Sequence, residues 1–590
     1  MKYETPAAGL AALLLALTPL TAAVAANGPV EVGNFTINVV DPVPEIGFSD
    51  PTRAKPIDGN PGRTIGEQRL EAYKHVVAIW DDNLDINTQI VLQASFTALN
   101  CTATGGTLGA AGTINVFRDF PGPSFPSTWY AGALANNLAG MDLNGSEPDP
   151  GLLVPPFNDE IVTFFNANLG KEGCLENSSW YYGFENDPPP GAIDFISVLT
   201  HEVGHGLGFQ NFADDETGQL FLGFPDQWTR FQGDNQLGKR WDQMIDFERF
   251  WSTGNGPNLV WNGPAVTGEA PNVLGPGQVI LITAPPNIAG MELPFGTSSF
   301  GPPLPAAGIQ GTVELVNDGA GTASDGCEAL VGFTPGNIAL IDRGICPFVL
   351  KAQNAEAAGA IAAIIANNEA GATPLAPGGS GAVGVTTVGV TQNGGQVLRS
   401  FPDVEVDIGA AAGDGSLAGT DSSGRLRLYA PAAIAPGSSV SHFDTSAFPN
   451  LLMEPFNTNV DVNDGDVDLT DELLFDIGWD GTISCPVNAD SRPTVIVNGC
   501  DSGVENRQGE YVVFPSKKFL FPSPTAEAFG AVAGGCYIAD LLAACTSPFV
   551  QPNEGQFQSC IAQLTQDMID QQIVSGSEAG AIRDCTGDAN

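Results

Sequence analysis

The spacing of apolar residues predicts an α-helix followed by a β-strand in the first hundred residues. Between Thr64 and Trp80, apolar residues recur every three or four positions, and Thr64 and Glu67 form a T-x-x-E capping box. From Ile90 to Phe96, apolar residues alternate with other residues, which is typical of a half-buried strand. This succession indicates a mixed α/β domain.

A second predicted helix carries candidate chemistry on one face. Asp194 is its predicted N-cap, and the sequence H-E-x-x-H follows at 201–205. Because four residues advance a helix by slightly more than one turn, His201 and His205 project from the same face and can bind one tetrahedral ion. Glu202 is placed to take a proton from a water that zinc activates. The predicted packing face consists of Phe195, Leu199, Val203 and Gly206.

The third ligand of this site must come from elsewhere, because a catalytic zinc takes three protein ligands and a water. Asn211 stands where an extended H-E-x-x-H-x-x-G-x-x-H motif has its third histidine, and a neutral amide oxygen is a poor zinc ligand. The chain has four histidines. We interpret His75, in the first helix, as a structural or surface residue. His442 is the remaining candidate.

The segment around His442 resembles the leishmanolysin-like branch of the metzincin zinc proteases. It runs S-H-F-D-T-S-A-F-P-N-L-L-M-E-P over residues 441–455. That family has its third zinc histidine far downstream, in an S-H-W-like context, followed by an L-M methionine turn. Phe443 departs from the usual tryptophan. The resemblance implies zinc binding by His201, His205 and His442, with Glu202 as general base and Met453 as the turn methionine.

The separation of 237 residues between His205 and His442 exceeds the usual spacing of that family and indicates an insertion. The segments D-G-C at 325–327, G-N-I-A-L-I-D-R-G-I-C-P-F at 336–348 and K-A-Q-N-A-E-A-A-G-A at 351–360 resemble a protease-associated (PA) domain. Apolar patterning predicts a strand, a helix and a strand there, at Ile338–Ile341, Val349–Ala358 and Ile361–Ala366. The resemblance implies a non-catalytic module that steers substrates or partners.

We therefore predict an α+β protein in which a metzincin-like catalytic domain is split by an α/β PA domain. A length of 590 residues is compatible with three to four domains. The predicted segments are a signal peptide at 1–26, the first catalytic part at 27–291, the PA domain at 292–410, the second catalytic part at 411–483 and a cysteine-rich, mostly helical module at 484–590.

The N-terminal segment predicts export. It is apolar from residue 6 to residue 26, follows Lys2 and ends in the small-residue run A-V-A-A. No later stretch is long enough to span a bilayer, so we expect no stable membrane insertion after cleavage.

In an oxidising compartment the ten cysteines can form disulfides. Cys101 with Cys174 and Cys327 with Cys346 are the predicted pairs, while the six from Cys485 to Cys585 allow fifteen connectivities.

The charge balance excludes some partners. There are 22 Lys and Arg residues against 67 Asp and Glu, and the net charge of −45 disfavours binding to nucleic acid and anionic lipid.

Six aspartates lie between Asp461 and Asp476. Such oxygen ligands can bind Ca²⁺, but no register fits an EF-hand, and we favour a solvated acidic turn.

These observations predict a secreted zinc metalloendopeptidase that hydrolyses protein or peptide substrates, with Glu202 as general base; we predict no particular oligomeric state. One alternative is a secreted binding or adhesion protein on a degenerate protease scaffold, although a binding protein has no need of Glu202 beside two ligands. Another is an exopeptidase, because PA domains also occur in aminopeptidases. Those usually use paired metals with carboxylate-rich ligands, which differ from H-E-x-x-H.

Overall fold

The computed structural model describes residues 28–586 apart from 104, 123–124, 126, 145–158, 306, 372–373, 380, 414, 458–459, 464, 480–492, 498–499, 508–537, 540–541, 543–553 and 571–573. The signal peptide predicted at 1–26 lies outside these residues. Within the described part of the chain, no helix combines the length and apolar character that crossing a membrane requires.

The strands are β1 (Val30–Val32), β2 (Phe35–Val39), β3 (Ile90–Thr97), β4 (Gly109–Thr113), β5 (Val116–Phe117), β6 (Tyr130–Ala131), β7 (Ile161–Asn166), β8 (Ser179–Tyr181), β9 (Ala192–Asp194), β10 (Gln232–Asp234), β11 (Lys239–Arg240), β12 (Leu259–Trp261), β13 (Gln278–Ala284), β14 (Glu292–Leu293), β15 (Phe295–Thr297), β16 (Ile309–Leu315), β17 (Ile338–Asp342), β18 (Ala362–Ala366), β19 (Thr386–Val390), β20 (Glu405–Ala411), β21 (Thr494–Val497) and β22 (Cys500–Glu505). The α-helices are α1 (Ile65–Asn83), α2 (Gly132–Ala139), α3 (Phe195–Leu207), α4 (Asp246–Ser252), α5 (Pro264–Val273), α6 (Phe348–Ala357), α7 (Gln392–Ser400), α8 (Thr470–Ile477), α9 (Glu554–Asp570) and α10 (Gly576–Asp584). Short 3-10 helices lie at Pro44–Ile46, Phe221–Gly223 and Trp241–Gln243.

The first half of the chain builds a five-stranded mixed sheet in the order β1-β2-β3-β7-β4. Helix α1 begins after the predicted capping box, in which the Thr64 side chain accepts from Glu67 N–H and the Glu67 side chain accepts from Thr64 N–H. Its apolar face is buried together with β3 and with helix α3 in one continuous core. Strand β4 is antiparallel to β7 and forms one edge of the sheet.

The inserted segment forms an eight-stranded sheet in the order β14-β13-β20-β16-β17-β18-β19-β15, with its own buried core. The strand, helix and strand predicted between residues 338 and 366 are present as β17, α6 and β18. The sheet already includes β13, which precedes the predicted start of the insertion at residue 292. Because β13 pairs antiparallel with β20, from Gln278 opposite Ala411, the chain enters and leaves the insertion at neighbouring points.

The chain rejoins the part that precedes the insertion immediately after it. Isolated bridges pair Pro276 with Leu417 and Val260 of β12 with Arg427. Near the end of this part, Trp261 Nε1 and the Ala265 N–H both donate to the buried carboxylate of Asp476, over 3.0 and 2.8 Å. The segments before and after the insertion therefore share one core.

The described disulfides each lie within one part of the chain. Cys101 pairs with Cys174 and Cys327 with Cys346, as predicted. In the C-terminal module Cys500 of β22 pairs with Cys585, which directly follows α10. The side chains of the other four C-terminal cysteines, Cys485, Cys536, Cys545 and Cys560, lie outside the described residues.

Candidate metal centre

Helix α3 presents the H-E-x-x-H sequence from a well-packed position. The carboxylate of Asp194 caps it as predicted, accepting hydrogen bonds of 3.1 and 3.3 Å from two N–H groups of the first turn. The helix ends at Leu207, because Gly208 adopts a left-handed φ of 119° that favours glycine. The predicted packing face is buried, and Trp80 of α1 donates its Nε1–H to Thr200 O over 3.3 Å.

His442 reaches the same place through backbone pairing with the part of the chain that precedes the insertion. Leu428 N–H donates to Leu259 O in β12 over 3.0 Å, and Leu428 forms a bridge with Phe443. Tyr429 N–H then donates to the carbonyl of His442 over 2.9 Å. The sheet that begins before the insertion therefore continues beyond it and delivers the third histidine.

The three predicted ligands converge. Their Nε2 atoms are separated by 3.1 Å between His205 and His201, 3.2 Å between His205 and His442, and 3.3 Å between His442 and His201. A tetrahedral zinc with Zn–N bonds of 2.0–2.1 Å would place its nitrogen ligands about 3.3–3.4 Å apart. The donor set and its spacing therefore fit this metal.

The hydrogen bonds on the other side of each ring determine the tautomers. Nδ1 of His201 lies 2.8 Å from Leu452 O, Nδ1 of His205 2.7 Å from Phe209 O, and Nδ1 of His442 2.8 Å from Ser438 O. A carbonyl oxygen can only accept, so each Nδ1 carries the proton. Each neutral ring therefore directs an Nε2 lone pair at the other two, and the contacts among the Nε2 atoms are not hydrogen bonds. This arrangement suits a shared cation, with the backbone carbonyls orienting the ligands.

Burial keeps these rings neutral. It lowers the pKa of His201 to about 4 and the pKa of His205 to about 3; for His205, electrostatic interaction with the His201 ring is a second cause. Burial also lowers the pKa of His442 well below its usual value, and the two other histidines add to the effect. Neutral imidazole is the form that binds a metal.

Glu202 lies buried beside the cluster, next to the edge of the five-stranded sheet. Burial raises the pKa of its carboxyl to about 8. A cation nearby would favour the ionised form instead. A Cβ atom at Gly109, the first residue of β4, would lie 2.6 Å from Glu202 Oε1, so the absence of a side chain at this position makes room for the carboxyl.

Met453 lies beneath the helix that carries the motif, as the resemblance implied for a turn methionine. It is fully buried, and a Cβ atom at Gly204 would lie 3.2 Å from its Sδ. Its carbonyl accepts from Phe443 N–H over 2.9 Å. The ring of Phe443, at the position where the family has tryptophan, packs edge-on against Phe209 with centroids 5.0 Å apart.

Two other polar residues lie outside the cluster. The backbone N–H of Asn211 donates to Ser441 Oγ over 3.1 Å, and its side chain contacts Ala213 O and Asp215, so Asn211 ties the helix end to the residue before His442. His75 stacks on Phe184 at 4.4 Å, in agreement with its interpretation as a structural residue.

A calcium site in the acidic segment finds no support. Among the described residues, two groups of three or more potential ligands bring their atoms within 4.8 Å, and neither contains an aspartate from 461–476. One group is the three histidines. The other is Asp318, Asp325 and Glu328 in the insertion, where the Nζ of the buried Lys351 donates to Asp325 O. A lysine already supplies positive charge there.

Sequence reasoning missed the groups that position the site. The Leu452 carbonyl and Gly109 have no signal in hydrophobic patterning or metal-ligand spacing, because a backbone oxygen and an absent side chain leave no chemical signature. Gly204, inside the H-E-V-G-H motif, is a partial exception. Its position next to Met453 can be inferred from the motif once a methionine turn is assumed.

We expect Gly109→Ala to disable the candidate base without unfolding the protein. The new Cβ must displace the buried Glu202 carboxyl, and misplacement of a catalytic group by about 1 Å can lower activity by about 100-fold. Gly105→Ala is the matched control, because nothing lies within 4 Å of a Cβ there. Peptidase activity, zinc content and thermal melting of both variants test this. Full activity in Gly109→Ala would contradict the placement of Glu202.

Comparison with known proteins identifies one part of the chain. Residues 311–398 match the PA domain family. The chain is 38% identical over 123 residues to Aminopeptidase YwaD of Bacillus subtilis strain 168, covering 21% of this chain and 26% of that protein. It is also 38% identical over 103 residues to an aminopeptidase of Pseudomonas aeruginosa strain UCBPP-PA14, covering 16% and 19%.

Solved structures give similarly partial matches. The zinc aminopeptidase BSAP from Bacillus subtilis is 25% identical, covering 24% of this chain and 35% of that one, with a TM-score of 0.18. The aminopeptidase from Aneurinibacillus sp. strain AM-1 is 25% identical, covering 25% and 37%, with a TM-score of 0.15. The chain spans about a quarter of the first curated relative. The chain thus contains a PA domain within a mixed α/β protein.

Proposed function

We propose that this protein is an exported zinc-dependent endopeptidase of the leishmanolysin-like metzincin type, with His201, His205 and His442 as zinc ligands. The observation that carries the proposal is the convergence of three neutral Nε2 atoms within 3.1–3.3 Å of one another. A sequence separation of 237 residues makes an accidental meeting of His205 and His442 a poor explanation. Glu202 supplies the base.

The proposed chemistry divides between the metal and the chain. When bound, zinc would act as a Lewis acid that polarises a peptide carbonyl and makes a water more acidic. Glu202 would take a proton from the attacking water at a carboxylate oxygen and deliver it to the departing amine. The carbonyls of Leu452, Phe209 and Ser438 hold the three imidazoles in the tautomer that leaves Nε2 free.

The position of Glu202 beside the edge of the five-stranded sheet favours a polypeptide as the substrate. Strand β4 lies at that edge, and its first residue lies against Glu202. An extended peptide can add to an exposed strand through backbone hydrogen bonds, which do not depend on its sequence. A chain bound in this way can continue beyond both sides of the scissile bond, as cleavage of an internal bond requires.

Aminopeptidase activity is the second candidate, because the matched relatives bear that name. Those matches do not extend to the complete histidine cluster. A matched stretch of 123 residues cannot contain both His205 and His442, which are 237 residues apart. The PA match at 311–398 lies between these two histidines. The three-histidine centre therefore supports the endopeptidase independently of the relatives.

Export is the second element of the proposal. The apolar segment at 6–26 supports it from the sequence. Three disulfides among the described residues, Cys101–Cys174, Cys327–Cys346 and Cys500–Cys585, are typical of proteins in oxidising compartments. Edman sequencing of protein from the culture medium should begin at residue 27.

An assay with two substrates tests the activity. The full chain, loaded with zinc, is incubated with an internally quenched peptide blocked at both ends and, in parallel, with amino-acid p-nitroanilides. We expect cleavage of the blocked peptide, its loss with 1,10-phenanthroline and its recovery with zinc. Release from the p-nitroanilides alone would assign an aminopeptidase. A folded, zinc-loaded protein that cleaves neither would be a binding protein.

A further inference from the structure

The hydrogen bonds that orient the three histidines differ in the sequence distance between the histidine and its carbonyl acceptor. His205 and His442 each donate from Nδ1 to a carbonyl only four residues away in sequence. The acceptor of His201 is Leu452 O, which is 251 residues away. Local backbone geometry therefore orients His205 and His442. The orientation of His201 depends instead on the position of the methionine turn, residues 451–454.

The methionine turn is held by carboxylates. Leu452 N–H donates to Asp468 Oδ2 over 2.5 Å, and Leu451 N–H donates to Glu454 Oε1 over 3.0 Å. Leu452 is thus bound on both sides, through its N–H to Asp468 and through its carbonyl to His201. The Glu454 contact spans three residues within the turn, whereas Asp468 lies sixteen residues beyond Leu452. Asp468 therefore anchors the turn from outside.

The backbone holds Asp468 in place for this contact. Its φ is 52°, in the left-handed region that aspartate and asparagine tolerate better than most residues. Its N–H donates to Asp466 Oδ1 over 2.8 Å, and its Oδ1 accepts from the Thr470 hydroxyl over 3.0 Å. Both carboxylate oxygens are therefore engaged, and the side chain has one orientation.

We propose that Asp468 is a positioning residue of the metal centre, which fixes the Leu452 backbone so that its carbonyl orients His201. This inference rests on the proposed function, because it assigns a role toward a metal at the three histidines. Asp468 thus acts on His201 through the Leu452 backbone.

Metal affinity measures this role directly. Asp468→Ala removes the anchor, and loss of an outer partner typically lowers metal affinity by about 10–100-fold. Asp468→Asn keeps one oxygen acceptor and the tolerance for positive φ but replaces the other oxygen by an amide donor, so we expect an intermediate loss and partial rescue. Asp461→Asn is the matched control, because it changes a carboxyl of the same loop whose Oδ1 accepts from the backbone and side-chain amides of Asn463. The zinc affinity of this variant should equal that of the wild type.

The experiment uses the full chain in wild-type and variant forms. Zinc dissociation constants come from competition with a chromophoric chelator, and the visible spectrum of the cobalt-substituted protein reports on ligand geometry. We expect altered cobalt bands in both Asp468 variants and not in Asp461→Asn. Folded Asp468 variants with wild-type affinity and spectrum would overturn the inference alone. Wild-type protein that binds no zinc would overturn the proposed function and this inference together.

Discussion

His442→Ala should abolish zinc binding and with it all peptidase activity. The variant leaves two imidazoles on α3, and zinc affinity should fall by more than the roughly 100-fold that follows loss of an outer-shell partner. Metal analysis after dialysis should find about one zinc in the wild type and none in the variant, because catalytic sites need three protein ligands.

His75→Ala is the matched control for this substitution. His75 stacks on Phe184 and lies outside the cluster, so its replacement should leave the zinc content unchanged. Circular dichroism of both variants separates metal loss from unfolding. An active His442→Ala protein with one bound zinc would show that the third ligand is a different residue.

Glu202→Gln should abolish most activity while the zinc remains bound. Glutamine preserves the volume of the buried side chain but cannot take a proton, and loss of a general base typically lowers the rate by about 10²–10⁴-fold. The rate of cleavage of a blocked, quenched peptide measures the effect, and metal analysis accompanies it.

Glu71→Gln makes the same chemical change away from the site. Glu71 forms an ion pair with Lys74 at the surface of α1, and we expect wild-type rates and zinc content. If Glu202→Gln loses zinc together with activity, Glu202 supports the ligands rather than the chemistry. If it retains full activity, another group is the base.

The PA insertion separates the ligands in sequence without separating them in space. Pairing of β13 with β20 brings the ends of the inserted sheet together, and the bridge between Val260 and Arg427 re-forms the host sheet directly beyond it. The insertion therefore adds a second surface to the protein, while the segments before and after it bring the three histidines together.

Local patterns predicted the elements that carry the site. The capping box before α1, the Asp194 cap of α3 and the strand-helix-strand unit of the insertion are all present. Each depends on residues within one or two turns of one another. The metal-ligand role of the three histidines stays a prediction, although the structure brings them together.

Local sequence was sufficient for the pair of imidazoles on α3, because an interval of four residues in a helix defines their common face. The third imidazole, the Leu452 carbonyl and the space at Gly109 required the folded chain. Their positions depend on pairing of β12 with the segment after the insertion, on the anchor at Asp468 and on the edge strand beside Glu202. Contacts between separate segments of the chain are set by packing and backbone hydrogen bonds, for which short-range spacing carries no information.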